Sequence, residues 1–309
     1  MTAEPVQGDE AKAQWDLAVQ HHLLEHLIPD VNHLPNVLYH YTTGEGLAGI
    51  LRTRTMWATH IGYLNDATEF QHGLRLVQAE VGRLKQQGKA DSALIYEWAA
   101  SLRMALNVLV YVAAFSTDPE SLPQWRAYAR PFGFALGLDM SHVLAVAGDP
   151  KDNVLIYPCV YEQAEQDQHL SYGIQYLLAE FQKRTHGKPG SPALMREFTA
   201  HFMAFVLALA ASFKHPAFKE EREWRLVARF LQPAKPTLVR RARRRGRLFV
   251  PYLELPLATG PDPFHVFRIV VGPTPDYDLA RQGLEALLEE TKTEVVEIVD
   301  SRVPFRDWQ

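Results

Sequence analysis

Cysteine is nearly absent from this chain. Cys159 is the single thiol in 309 residues, which excludes an intrachain disulfide, a CxxC redox pair and a cysteine zinc site. A reducing, cytoplasmic location is therefore expected. Long apolar runs are also scarce: the most apolar, Phe202 to Ala211, falls well short of the ~20 residues needed to cross a bilayer. It predicts a buried helix and no membrane span. The opening MTAEPVQGDEAKAQW is polar and acidic, without the basic start and apolar stretch of a secretory signal. No GxGxxG follows a strand-like run, and GxxxxGKS/T, HExxH and GxSxG are missing. Dehydrogenase, P-loop, zinc-protease and standard serine-hydrolase readings drop accordingly. The thirteen histidines are scattered and no carboxylate cluster accompanies them, so no metal is expected. A net charge of -4 and a pI of about 6.4 select neither nucleic acid nor a membrane surface.

What is present is ample material for a core, since 47% of the residues are hydrophobic. Residues 10–28 carry apolar side chains at helical spacing up to Pro29, which predicts an N-terminal helical cap over 1–36 and a single α+β domain over 37–309. VLYHYT at 37–42 reads as a strand and GEGLAGILR as a short helix. MWAT is strand-like, and a long helix begins near Asp66 and Glu69, spaced as a capping box. Further helices are expected at 91–106, 165–183, 192–213 and 277–290. Strands are expected at 108–116, 133–139 and 154–161, and in EREWRLVARF, LFVPYLEL, FHVFRIVV and TEVVEIVD. Strand and helix do not alternate strictly, which favours an α+β arrangement over a doubly wound parallel sheet.

Several constellations can carry chemistry. His40-Tyr41-Thr42 ends a strand beside Gly44 and Gly46, where a histidine can bond a ribose hydroxyl, although a lone histidine is more often a satisfied strand residue. Tyr63 precedes Asn65 and Asp66, both favoured helix caps; its ring can flank a heterocycle or staple the helix. Ser116 ends an apolar strand, and Trp125, Arg126 and Tyr128 follow on the next element. Arg126 suits phosphates, and the two rings suit a base or the core equally well. In EREWR, strand alternation puts Glu221, Glu223 and Arg225 on one face, so two carboxylates can approach one substrate; an edge strand with alternating charge is the plainer reading. Arg240, Arg241, Arg243, Arg244, Arg245 and Arg247 crowd one stretch, expected as a solvated loop or as a docking surface for nucleic acid or another anionic partner.

The ordered blocks VLYHYTTGEGLAGILRTRTMWATHIGYLNDATEF, AFSTDPESLPQWRAYA with GFALGLD, and FKHPAFKEEREWRLV resemble the bacterial domain-of-unknown-function family numbered twenty-nine seventy-one. The resemblance runs from about residue 37 to the closing SRVPFR. The order of motifs is also similar to that of ADP-ribosyltransferase-like enzymes, which implies a small twisted or split β-sheet surrounded by helices, with NAD as substrate. On that resemblance His40 and Thr42 position NAD, Tyr63 or Tyr128 stacks on nicotinamide, Ser116 supports the ribose, Glu223 is catalytic and Glu221 orients a macromolecular acceptor. Tyr41 stands where that superfamily has glycine. Two other functions stay open: a non-enzymatic module binding nucleic acid or an anionic partner through the arginines, and a glycoside or nucleoside hydrolase using the carboxylate pair.

Overall fold

In a computed structural model, the chain is described over 33–304 except 65–66, 89–90, 104, 106–108, 148–153, 231–237 and 259–263, and at 15, 18, 19, 22 and 23 before it. Asp66 of the expected capping box and most of the expected N-terminal cap lie outside the described residues.

The chain is a mixed α+β protein. The described elements run β1 (Val37–Thr43), α1 (Gly44–Thr53), β2 (Thr55–His60), α2 (Ala67–Gln86), α3 (Ser92–Leu102), β3 (Leu109–Ser116), α4 (Leu122–Tyr128) and β4 (Gly133–Asp139). They continue with α5 (Met140–Ala147), β5 (Val154–Pro158), α6 (Gln163–Thr185), α7 (Pro192–Ser212), β6 (Glu223–Phe230), β7 (Arg240–Arg245), β8 (Leu248–Pro256), β9 (Phe264–Val271), α8 (Tyr277–Thr291) and β10 (Thr293–Asp300). Among the described residues ten strands join one sheet, ordered β10-β9-β4-β1-β3-β2-β8-β7, with β6 added to β3 and β5 to β6. β10 and β9 are parallel, whereas β4 pairs antiparallel with both β9 and β1.

The sheet is split, and β3 is where it splits. One edge of β3 pairs with β6 along its whole length, from Leu109 opposite Phe230 to Ser116 opposite Glu223. Its other edge is shared: β1 meets it at Tyr39 opposite Ser116, and β2 meets it at Thr59 and His60 opposite Val112 and Tyr111. Between those two points β1 and β2 diverge.

Helices cover both faces, because successive strand side chains point to opposite sides. Val110, Val112 and Val227 enter one core with α2, α3, α6 and α7, while Tyr111, Ala113, Phe115, Trp224 and Leu226 enter the other with α1, α5 and α8. A smaller third cluster joins Tyr39, Tyr41, Trp125 and Val270 beneath α4. Among the described residues α7 alone is long and apolar enough, by length and composition, to cross a membrane. Its 21 residues match the helix expected at 192–213: Ser191 caps it by accepting from the Leu194 amide and Pro192 occupies its first turn. In the fold it is a core helix, with Phe198, Phe202, Phe205 and Val206 sealed from solvent. Gly73 of α2 lets that helix approach closely, since a Cβ there would come 2.7 Å from the Ala210 backbone.

Three expectations are corrected. The 240–247 arginine stretch is not a loop: Arg240–Arg245 form β7, paired residue for residue with β8, and Gly246 at φ +59° makes the turn. The strand expected at 154–161 ends at Pro158, whose missing N–H cannot extend a ladder. α5 was not anticipated, since its eight residues are too short a run to show a helical period.

Candidate functional site

Where β1 and β2 part, a cavity of about 590 Å³ opens. Its floor is Val112, Ala113 and Ala114 of β3, the stretch that spans the gap. One wall comes from β1 and the start of α1, and the other from β2 and β7.

His40 sits at the divergence and bonds across it. Its Nδ1 donates to the Ala114 carbonyl at 2.9 Å, so the imidazole takes the place a neighbouring strand amide would fill. That bond fixes the neutral tautomer with Nε2 as the acceptor. Burial pushes His40 below the usual histidine range, opposed in part by the Ala114 bond, so the ring is neutral at neutral pH. Thr42 and Tyr41 line the cavity beside it. Thr43 caps α1 by accepting from the Gly46 amide at 3.1 Å. Gly46 itself is required, because a Cβ there would lie 2.1 Å from the Thr42 hydroxyl. The sequence HYTTGEG thus codes a strand end, a cap and a close approach in six steps.

The carboxylate pair converges, although not through strand alternation. β6 begins only at Glu223, Glu221 ends a short 3-10 turn, and Arg222 between them is left-handed at φ 45°. Such a backbone is uncommon for a residue with a side chain. Here it turns both carboxylates onto Lys214, whose Nζ donates to Glu221 Oε2 at 2.8 Å and to Glu223 Oε2 at 2.5 Å. Gln124 also donates to Glu221 at 3.2 Å, and Arg225 grips Glu223 through Nε at 2.7 Å and its terminal nitrogen at 3.2 Å. Arg225 reaches on to the Ala211 carbonyl at the end of α7, at 2.8 Å, where a helix terminus favours positive charge. Burial alone would push the Glu223 carboxyl up, but Arg225 and Lys214 outweigh it and hold the group below the usual carboxylate range. Glu223 and Arg225 line the cavity, whereas Glu221 and Lys214 form the layer behind them.

The remaining predicted residues divide. Tyr128 lines the cavity. Tyr41 is also held structurally: its hydroxyl donates to the Asp118 carbonyl at 2.6 Å and accepts from the Ser121 amide at 2.9 Å, with its ring edge-on to Trp125. Trp125 is buried in that cluster and Arg126 is exposed; neither lines the cavity. Ser116 is fully buried, donating to the Glu221 carbonyl at 2.7 Å and accepting from the Asp118 amide at 3.0 Å. It ties β3 to the turn that carries Glu221. Tyr63 is 37% exposed, lies against His60 and is off the lining. Asn65 lies outside the described residues.

Sequence reasoning did not single out Lys214, or Arg225 and Arg243 as parts of this site. Lys214 had a signal: it directly follows the apolar ALAASF and comes shortly before Glu220, Glu221 and Glu223, a pattern that suits a buried counter-ion. Arg243 had none, because six clustered arginines do not reveal which one turns inward.

A mixed α+β protein, with helices on both faces of a split sheet and a polar cavity in the split, is the class that these features define. Within it, residues 124–226, about one third of the chain, match the family described as Protein of unknown function (DUF2971). The match is to the family that the ordered sequence blocks resemble, and it covers the Gln124-to-Leu226 stretch that carries Lys214, Glu221, Glu223 and Arg225. No curated protein and no solved structure matches the chain.

Proposed function

We propose that this protein is an ADP-ribosyltransferase-like enzyme that cleaves the nicotinamide-ribose bond of NAD and transfers ADP-ribose to a macromolecule. The observation that carries the reading is that one cavity, in the split of the sheet, is lined by both His40 and Glu223. Its volume of about 590 Å³ lies within the range of small-molecule sites. A neutral imidazole with a free acceptor suits a ribose hydroxyl, and Thr42 adds a hydroxyl next to it. Tyr128 is the aromatic on the lining, which favours it over Tyr63 for stacking on nicotinamide. Glu223 is ionised across the neutral range and held rigidly by two cations. A fixed carboxylate is what an oxocarbenium-like sugar needs as it loses nicotinamide. The bond between ribose C1′ and the nicotinamide nitrogen breaks with its electron pair leaving on nicotinamide, and an acceptor oxygen or nitrogen then adds to C1′ and releases a proton.

Incubation with NAD labelled in the adenosine moiety tests this. Label on a macromolecule supports transfer and free ADP-ribose alone indicates glycohydrolase action. No release of nicotinamide under any acceptor condition overturns the assignment.

The β7–β8 hairpin favours nucleic acid as the acceptor or, in the second reading, as the sole partner. Arg244 and Arg247 are exposed beside Leu248 and Phe249, which are 61% and 72% exposed. Basic side chains next to an open aromatic ring suit phosphates with a stacked base. Single-stranded oligonucleotide binding is expected to weaken steeply with salt, with a log-log slope reduced by about 0.7 for each phosphate-contacting arginine changed to glutamine. A slope unchanged in the variant with all six arginines replaced, followed by fluorescence anisotropy, would remove nucleic acid from the account.

A further inference from the structure

The charge on the two walls of the cavity is uneven. Arg243, Arg244 and Arg245 all line the β7 side. Arg241, two residues before Arg243 and on the same strand face, is satisfied by Glu254 at 2.8 Å. Arg243 is placed differently. It is half-buried, its terminal nitrogen donates to the Thr59 hydroxyl at 3.2 Å, and its guanidinium lies 5.1 Å from the Trp57 ring and 6.0 Å from that of Tyr252. These partners are neutral. Four other arginines are matched with acids: Arg52 with Glu290, Arg83 with Glu80, Arg268 with Glu297 and Arg281 with Asp300. Of the two carboxylates that line the cavity, Glu45 belongs to α1 on the other wall, and Glu223 is already bound to Lys214 and Arg225.

A guanidinium drawn out of water toward a cavity, steadied by two rings and a hydroxyl and crowded by a second arginine, is prepared for an anion that arrives with the ligand. Guanidinium matches phosphate oxygens in a two-pronged way that a lysine cannot. Thr59, already held by Arg243, offers its hydroxyl proton to the same anion. The Trp57 and Tyr252 rings lie within cation–π reach of the guanidinium.

We infer that Arg243, Thr59 and the neighbouring Arg245 form a phosphate subsite on the β7 wall of the cavity, and that the ligand of the split is a nucleoside diphosphate or a dinucleotide joined through one. It rests on the nucleotide reading of the cavity but not on the transfer reaction. The probes are adenosine, AMP and ADP, titrated calorimetrically into the full-length protein at fixed salt. ADP is expected to bind at least tenfold more tightly than adenosine. Arg243→Gln is expected to abolish that preference while leaving adenosine affinity within twofold, and Arg243→Lys to retain part of it. Equal affinity of the wild-type protein for adenosine and ADP, a comparison that needs no variant, overturns the subsite. So does an Arg243→Gln protein that still prefers ADP as strongly as before. If ADP is preferred through Arg243 but NAD is never cleaved, the subsite stands and the transfer reaction falls; if NAD is cleaved with a KM indifferent to Arg243→Gln, the subsite alone falls.

Discussion

Glu223→Gln is expected to lower NAD turnover by about a hundredfold or more, because stabilisation of developing charge by a positioned group is typically worth about 3 kcal/mol. Glutamine keeps the shape and an oxygen for Arg225 but removes the negative charge facing the cavity. The substitution also takes from Lys214 and Arg225 the charge that both bind at Glu223, so a loosened network is a second cause of lost activity. Glu221→Gln separates the two causes. Glu221 holds Lys214 from behind and does not line the cavity. With Glu221→Gln, Glu223 keeps its charge and its bond to Arg225, so nicotinamide release should largely persist. Nicotinamide release measured in both variants, each checked for native circular dichroism, decides the matter. Near-normal release by a folded Glu223→Gln protein removes Glu223 from the chemistry, and equal losses in the two variants reduce the pair to a structural role.

The sequence exposed the local parts of this site and hid the long-range ones. β4 over 133–139 and β10 over 293–300 were readable to the residue, because GFALGLD alternates Phe134, Leu136 and Leu138 with smaller residues and TEVVEIVD is rich in Val and Ile. The imidazole of His40 could be placed at a strand end but not in a split, since its partner Ala114 is 74 positions away and belongs to a strand whose edge is shared by β1 and β2. β7 was misread because repulsion among arginines argues for a solvated loop. The ladder to β8, the ion pair to Glu254 and the Trp57 and Tyr252 rings offset that repulsion, and all of them are tertiary. The carboxylates of Glu221 and Glu223 were expected together for the wrong geometric reason. Alternation would have joined them only if Arg222 were extended, and the left-handed turn there, with Lys214 between them, does so instead. A single left-handed arginine leaves no mark in composition or periodicity.

The same cluster governs stability. Lys214 is completely enclosed, with side-chain exposures of 0% for itself, 7% for Glu221 and 5% for Glu223. Burial on its own would pull the Lys214 ammonium down, yet Glu223 and Glu221 raise it well above the ordinary lysine range, even with Arg225 opposing them. A raised base contributes stability that is fully present below its unfolded value of about 10.4 and lost as pH climbs through the folded one; Glu223, lowered in the fold, contributes stability present above about 4.3 and lost as pH falls through its folded value. The two effects overlap in a plateau between about 4.3 and 10.4. Lys214→Met keeps the bulk and removes the charge, leaving two buried carboxylates with one nearby guanidinium. Breaking a buried pair in this way typically costs about 3–5 kcal/mol. The deficit should shrink on acidification. An unpaired buried carboxyl has its folded pKa raised, the folded form then binds more protons than the unfolded one, and stability rises as pH falls. Urea melts at pH 7 and pH 5 should therefore show a large gap between wild type and Lys214→Met that narrows at the lower pH. A gap of the same size at both, or a variant as stable as wild type at pH 7, would mean that the ammonium is not what neutralises Glu221 and Glu223.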